Sequence, residues 1–175
     1  HLKERRRPVI RLSLEAKVLE TGGGITQALP LLGSNPFFCV NSDVICLDGS
    51  VPTLHRLAEA WPEEGVDALL LLHPVEKAVG YDGPGDFFLE SGRLRRRLNE
   101  PAAPLVFTGV QVLHPRLFDH APEGAFSLNA LYNRAMEPNG TLSRVAALTH
   151  EGDWLHVGDL KGLADAEAFL AKCSS

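Results

Sequence analysis

Between Glu20 and Asp48 the chain reads E-T-G-G-G-I, then a short helix-like stretch, then P-F-F-C-V-N-S-D-V. That order of glycine cluster, helix, apolar strand and lone acid admits few architectures. Gly22, Gly23 and Gly24 are expected to open a helix. With no Cβ they also let the backbone come close to whatever lies beside it. Residues 37–41 have the apolar run and the length of a buried strand. Asp43 follows that strand, and a carboxylate at the carboxyl end of a strand in an open α/β sheet faces the crevice where ligands bind. Together these residues point to a nucleotide on the glycines and a metal on the aspartate.

The rest of the chain continues the alternation. Strands are expected over residues 8–12, 67–73 (VDALLLLH with its preceding valine), 105–113 and 154–157. Residues 86–98, DFFLESGRLRRRL, form a hairpin that turns at Ser91-Gly92. Helices are expected over 25–32, closed by Gly33, over 53–61, over 127–136 with Ser127 as N-cap, and over 160–172 with Asp159 as its cap. Strands spaced by helices of this length imply an α/β fold, a Rossmann-like, mostly parallel sheet with helices on both faces. No repeat and no low-complexity linker divides the chain, so residues 1–175 read as a single domain.

Composition excludes more than it identifies. With 45% apolar and 22% charged residues, the chain has the balance of an ordinary water-exposed globular domain. A net charge of −5 argues against a general nucleic-acid partner. The longest purely apolar run, residues 68–72, is far too short for a membrane span. Cys39, Cys46 and Cys173 have no metal-ligand spacing and cannot all pair, which favours a reducing, cytoplasmic setting. Arg93, Arg95, Arg96 and Arg97 form a basic cluster that could hold phosphate or a nucleic-acid backbone, but on a hairpin next to a turn the expectation is a solvated edge that discourages strand pairing. No G-x-S-x-G elbow supports a serine hydrolase.

Four motifs in sequence carry a resemblance over nearly the whole chain: E-T-G-G-G-I, F-F-C-V-N-S-D-V, F-T-G-V-Q-V-L-H-P and G-D-W-L-H-V-G before a helix. The chain resembles the bacterial sugar-1-phosphate nucleotidyltransferases, in particular the N-acetylmuramate-1-phosphate uridylyltransferase branch, with mannose-1-phosphate guanylyltransferases as neighbours. The resemblance implies a nucleotide-diphospho-sugar transferase type of fold. It implies a reaction in which a sugar 1-phosphate attacks the α-phosphorus of a nucleoside triphosphate, UTP favoured, and releases pyrophosphate. Catalysis of that kind rests on alignment and charge neutralisation, much of it supplied by a divalent metal.

Residue roles follow from the resemblance. Asp43 is the expected catalytic residue and first metal ligand, although an aspartate here could instead cap the following turn. Where relatives carry W-x-D-x-G, this chain carries Trp154-Leu155-His156-Val157-Gly158. His156 is therefore expected to ligate the metal or hold a metal-bound water, unless it simply packs at a strand end. Mg²⁺ is the implied cofactor, and the imidazole admits Mn²⁺. Glu20, Thr21, Gly22, Gly23 and Gly24 are expected at the nucleotide, and Asn99 or Glu100, with Thr108 and Gly109, at the sugar. Gly109 has a second reading as a strand bulge. Relatives open with a G-x-G-T-R-x-x-P loop, which no part of this sequence contains. By the resemblance the domain is N-terminally incomplete, lacking its first βα units, and the 175 residues alone are expected to be inactive or to act only as a nucleotide-sugar-binding module.

Overall fold

The computed structural model describes residues 7–62, 64–134, 137 and 144–173. Its elements in chain order are α1 (Glu20–Leu32), β1 (Phe37–Val40), β2 (Val44–Cys46), α2 (Thr53–Ala60), β3 (Ala68–Pro74), β4 (Phe87–Glu90), β5 (Arg93–Arg96), β6 (Leu105–Leu113), α3 (Asn129–Asn133), β7 (Val145–Thr149), β8 (Trp154–His156) and α4 (Leu160–Cys173).

The run ALLLLHP makes β3 the buried middle of the sheet, since a strand covered on both faces needs apolar side chains at every position. Leu69 and Leu71 face one way, with Leu57 of α2, Val110 and Val112. Ala68, Leu70 and Leu72 face the other way, in the cluster that includes Leu131 and Tyr132 of α3 and, partly buried, Ile25 and Leu29 of α1. Helices thus cover both faces, and the fold class expected from the alternation of elements is the one observed.

The large sheet has the order β5-β4-β6-β3-β7, with β1 also paired to β6. β3 and β7 are parallel, whereas β6 runs antiparallel to β1, β3 and β4. Four strands, β1, β3, β4 and β7, therefore share one direction, and β6 and β5 oppose them. Most strands are co-directional, but most neighbours are antiparallel, because β6 is inserted between two strands that would otherwise pair side by side. β2 and β8 form a separate antiparallel ribbon, Val44 opposite His156.

Several local expectations change. The strand expected at residues 8–12 does not form, and Val9 and Leu12 lie exposed. The helix expected over 127–136 shortens to α3, and Met136 lies outside the described residues. β2, three residues long, has too little periodicity to read in sequence. The hairpin turns where expected, with Ser91 and Gly92 both at positive φ. Asp159 accepts the Gly162 N–H at 2.7 Å, the capping bond anticipated for α4. Arg93 and Arg95 on the sheet's edge strand meet Glu137, Glu90 and Glu100, as a solvated edge should. Among the described residues no helix is long and apolar enough to cross a membrane.

Candidate functional site

A cleft opens at the carboxyl end of β1, and its two ends share Asn41, Asp86 and Phe107. One end, about 190 Å³, is lined by Asp43, Tyr81, Thr108, Gly109, Trp154 and His156. The other, about 160 Å³, is lined by Thr21, Arg96, Gln111, Ser127, Asn129 and Tyr132.

The first end is built by the small ribbon. The antiparallel pairing of β2 with β8 brings Asp43 and His156 together although 113 positions of chain separate their numbers. The Val157 N–H donates to the Asp43 main-chain oxygen at 2.9 Å. Among the described residues nothing hydrogen-bonds or ion-pairs with the Asp43 carboxylate. The capping role that might have explained an acid here belongs to Asp48, whose Oδ1 accepts the Thr53 N–H at 2.7 Å. That bond from the Thr53 backbone holds the Asp48 carboxyl below its ordinary range.

His156 is oriented from behind. Its Nδ1 sits 3.3 Å from the Gly80 carbonyl oxygen, so Nδ1–H is the donor there and Nε2 keeps its lone pair. A Cβ placed on Gly158 would fall 2.7 Å from that Nε2 and 3.2 Å from Asp43 Oδ2. The carboxylate and the imidazole therefore face one small space that glycine leaves open. An oxygen and a nitrogen donor around such a space fit a divalent ion. No group of three or more His, Cys, Asp or Glu suited to a metal exists among the described residues, so oxygens of phosphate and water would complete the shell.

The ribbon is fastened to the main sheet at the bulge of β6. Leu70 pairs with Gln111 and Leu72 with Phe107, which leaves the intervening Thr108, Gly109 and Val110 opposite Leu71 alone. Gly109 takes φ +81° there, and a Cβ on it would stand 2.9 Å from the Asn41 Cβ. The Thr108 hydroxyl donates to the Leu71 oxygen at 2.9 Å, and the Trp154 indole N–H donates to the Thr108 oxygen at 2.9 Å. Thr108 is fully buried and its hydroxyl holds the bulge together; Thr108 and Gly109 both border the cleft.

The three glycines behave differently from their sequence reading. They lie inside the first turns of α1 rather than ahead of it, with Glu20 as the first helical residue. A Cβ on Gly22 would meet the Phe126 ring at 2.3 Å, and one on Gly23 would meet the Gly124 oxygen at 2.3 Å. The Gly22 and Gly23 N–H groups both donate to the Phe126 oxygen, at 3.0 and 3.3 Å. The close approach that these two glycines permit is to the 124–126 loop. Of the five residues expected at a nucleotide, Thr21 reaches the cleft wall. Asn99 and Glu100 are exposed on the turn after β5, outside both ends of the cleft, and Glu100 is tied to Arg95.

Sequence reasoning gave no site role to Asn41, Asp86 and Asn129, and favoured a solvated edge for Arg96, which lines the cleft. Asp86 Oδ2 accepts the Phe107 N–H at 2.9 Å, clamping the shared middle of the cleft. Asn41 lies within the F-F-C-V-N-S-D-V motif and Arg96 within the arginine cluster, but only the topology, which lays the hairpin beside β6 and against α3, assembles the four.

No family model matches the chain. It is 38% identical over 157 residues to the N-acetylmuramate alpha-1-phosphate uridylyltransferase of Caulobacter vibrioides, covering 89% of this chain and 63% of that protein. It is 37% identical over 152 residues to the protein of the same description from Neisseria meningitidis, covering 86% of this chain and 62% of that one. The chain thus spans somewhat under two thirds of the length of these curated relatives. Its fold matches the crystal structure of a putative glucose-1-phosphate thymidylyltransferase from Bacillus anthracis with a TM-score of 0.61, at 15% identity, over 89% of this chain and 62% of that one.

Proposed function

We propose that this chain, a homologue of the sugar-1-phosphate nucleotidyltransferases, carries the metal-binding half of a site that joins a nucleoside triphosphate to a sugar 1-phosphate. The observation that carries the reading is the pair Asp43 and His156, whose unshared carboxylate and Nε2 face the same space above Gly158. The two most similar relatives reported above are uridylyltransferases, which favours UTP as the triphosphate.

In the proposed reaction a phosphate oxygen of the sugar 1-phosphate attacks the α-phosphorus of UTP. One P–O bond forms, the bond from the α-phosphorus to the β-bridging oxygen breaks, and pyrophosphate leaves with that electron pair. A bound Mg²⁺ or Mn²⁺ supplies charge neutralisation of the phosphates and their alignment. The chain's own contribution is positional. Asp43 offers an anionic oxygen, Gly80 fixes the imidazole of His156 through Nδ1, and Trp154 anchors the ribbon to β6. Asp86 and Asn41 link this end of the cleft to the end where a sugar or nucleoside would lie. The proposed setting is the cytoplasm, where UTP is available.

The test is pyrophosphate release from UTP, and from the other three nucleoside triphosphates, with a panel of sugar 1-phosphates and either divalent ion. Turnover that needs sugar 1-phosphate, metal and UTP supports the reading in full. Metal-dependent binding of the nucleotide sugar without turnover reduces the chain to a binding module. Absence of both overturns it.

A further inference from the structure

Gly80, whose carbonyl orients His156, is itself packed against a helix. Residues 79–80 run beside β8, with Val79 bridged in parallel to Leu155. The Val79 N–H donates to the Trp154 oxygen at 3.1 Å, and the His156 N–H donates to the Val79 oxygen at 2.9 Å. Gly80 then takes φ +72°, a conformation that side chains rarely adopt, with its carbonyl at Nδ1. Beside it stands Gly162, buried in the first turn of α4, where Asp159 Oδ1 accepts its N–H at 2.7 Å.

The two glycines make room for each other and for one strand end. A Cβ on Gly80 would stand 2.5 Å from the His156 oxygen and 2.8 Å from the Gly162 Cα. A Cβ on Gly162 would stand 2.4 Å from the same His156 oxygen. It would also stand 3.2 Å from the Gly80 oxygen, the one that takes the Nδ1–H bond. All of these neighbours are backbone and cannot swing aside as the end of a side chain does. Glycine inside a helix is otherwise a poorer choice than alanine, so its place in α4 finds its reason in this contact. The same loop also meets α4 through Lys161 and Asp82, 3.0 Å apart, but at 64% and 80% exposure that ion pair holds little.

We infer that Gly162 is a positioning residue for the metal site: α4 sets, through Gly80, the tautomer and direction of His156. This rests on the reading of His156 as a metal ligand. An imidazole that loses its acceptor at Nδ1 can carry its proton on Nε2 instead, and that nitrogen then has no lone pair to offer. The helix thus acts on the cleft without lining it.

The experiment takes two readings on the full chain. The first is the tautomer of His156 without metal, from proton–nitrogen correlations of the rings at about pH 8, where an ordinary imidazole is neutral. His156→Asp identifies the signals by their loss. The second is the affinity for Mn²⁺, titrated with UDP present. The unaltered chain should carry the proton on Nδ1. Gly162→Ala should move part or all of it to Nε2 and weaken Mn²⁺ by about 10–100-fold, the cost typical of losing a partner behind a metal ligand. Lys161→Ala, which removes the ion pair and leaves the glycine contact, should keep the tautomer and hold the Mn²⁺ affinity within about twofold. Should Gly162→Ala not fold, Asp159→Ala loosens the same turn without adding an atom to the contact, and Asp159→Asn keeps the acceptor. The alanine variant should then show the shifted proton and the asparagine variant the original one. A proton on Nε2 in the unaltered chain would overturn the inference. So would a Gly162→Ala chain that shows neither change or one without the other, or an equal response in Lys161→Ala. In each of those cases the functional reading stands as long as Mn²⁺ and UDP bind. If they do not bind the unaltered chain, the functional reading fails and the inference falls with it.

Discussion

Nδ1 of His156 lies 3.3 Å from the carbonyl oxygen of Gly80, and that contact decides which nitrogen of the ring is free. A carbonyl only accepts, so the proton sits on Nδ1 and Nε2 is left as a ligand. A nitrogen donor favours Mn²⁺ relative to Mg²⁺, which prefers an all-oxygen shell. Replacing His156 by Asp should therefore shift the ratio of apparent Mg²⁺ and Mn²⁺ constants for UTP binding toward Mg²⁺ by about tenfold. An unchanged ratio would remove His156 from the metal shell.

Asp43 offers a cleaner separation of charge from structure. Nothing described uses its carboxylate, so Asp43→Asn should leave the thermal midpoint within about 2 °C. The same change should weaken metal-dependent nucleotide binding by at least about 10–100-fold, the loss typical of weakening a metal site. Calorimetry and a Mn²⁺ titration on one sample would read both. A large stability loss would point to a structural acid.

The glycines of α1 should divide into two kinds. Alanine at Gly22 gains up to about 1 kcal/mol of helix propensity. It also drives a Cβ to 2.3 Å from the Phe126 ring and 2.7 Å from the Phe126 oxygen. Overpacking of that sort costs about 1–3 kcal/mol, so Gly22→Ala should lower stability. At Gly24 the added Cβ meets only the end of the Glu15 side chain, at 2.6 Å, which can swing away. Gly24→Ala should be neutral or stabilising by about 0.5–1 kcal/mol. Denaturant midpoints of the two variants moving in the same direction would contradict this packing.

Acid sensitivity should come in part from Asp67, which bridges Arg116 and Arg144. Burial alone would raise its carboxyl, yet the Arg144 and Arg116 guanidiniums outweigh burial and hold it below the usual range. A depressed folded pKa means that its stabilisation is present above the unfolded value of about 4 and is lost as pH falls through the folded one. Asp67→Asn should cost about 2 kcal/mol at neutral pH, given the exposure of both arginines, and should flatten the stability curve below about pH 4. A parallel curve for the variant would assign the acid transition to other groups.

What could be read from sequence follows physical periodicity. The β3 run and the hairpin with Ser91-Gly92 at its turn were legible, because their signals lie within a few adjacent residues. Asp43 and His156 were legible as separate residues, and their meeting was implied only by the resemblance. Thr108 was placed at the sugar by the resemblance alone; that its hydroxyl also closes the β6 bulge depends on the register of β3 against β6, which no local pattern encodes. Gly22 and Gly23 face the loop around Phe126, a contact across more than a hundred positions that no local pattern encodes. Arg96 read as one more edge cation, since its bonds to Asn129 and Asn133 depend on where α3 packs.

The bond from Trp154 to the β6 bulge has a practical meaning. The chain holds two tryptophans, and Trp61, at the C-terminal end of α2, packs against the other apolar cluster with Leu57, Leu69 and Leu71. Trp154 is buried with the rings of Tyr81, His156 and His73 centred 5.9, 6.1 and 6.2 Å away. The cleft therefore contains its own fluorophore, one ring removed from Nε2 of His156. Phenylalanine at position 61 would leave a single emitter whose intensity reports what arrives at that nitrogen, with no label attached.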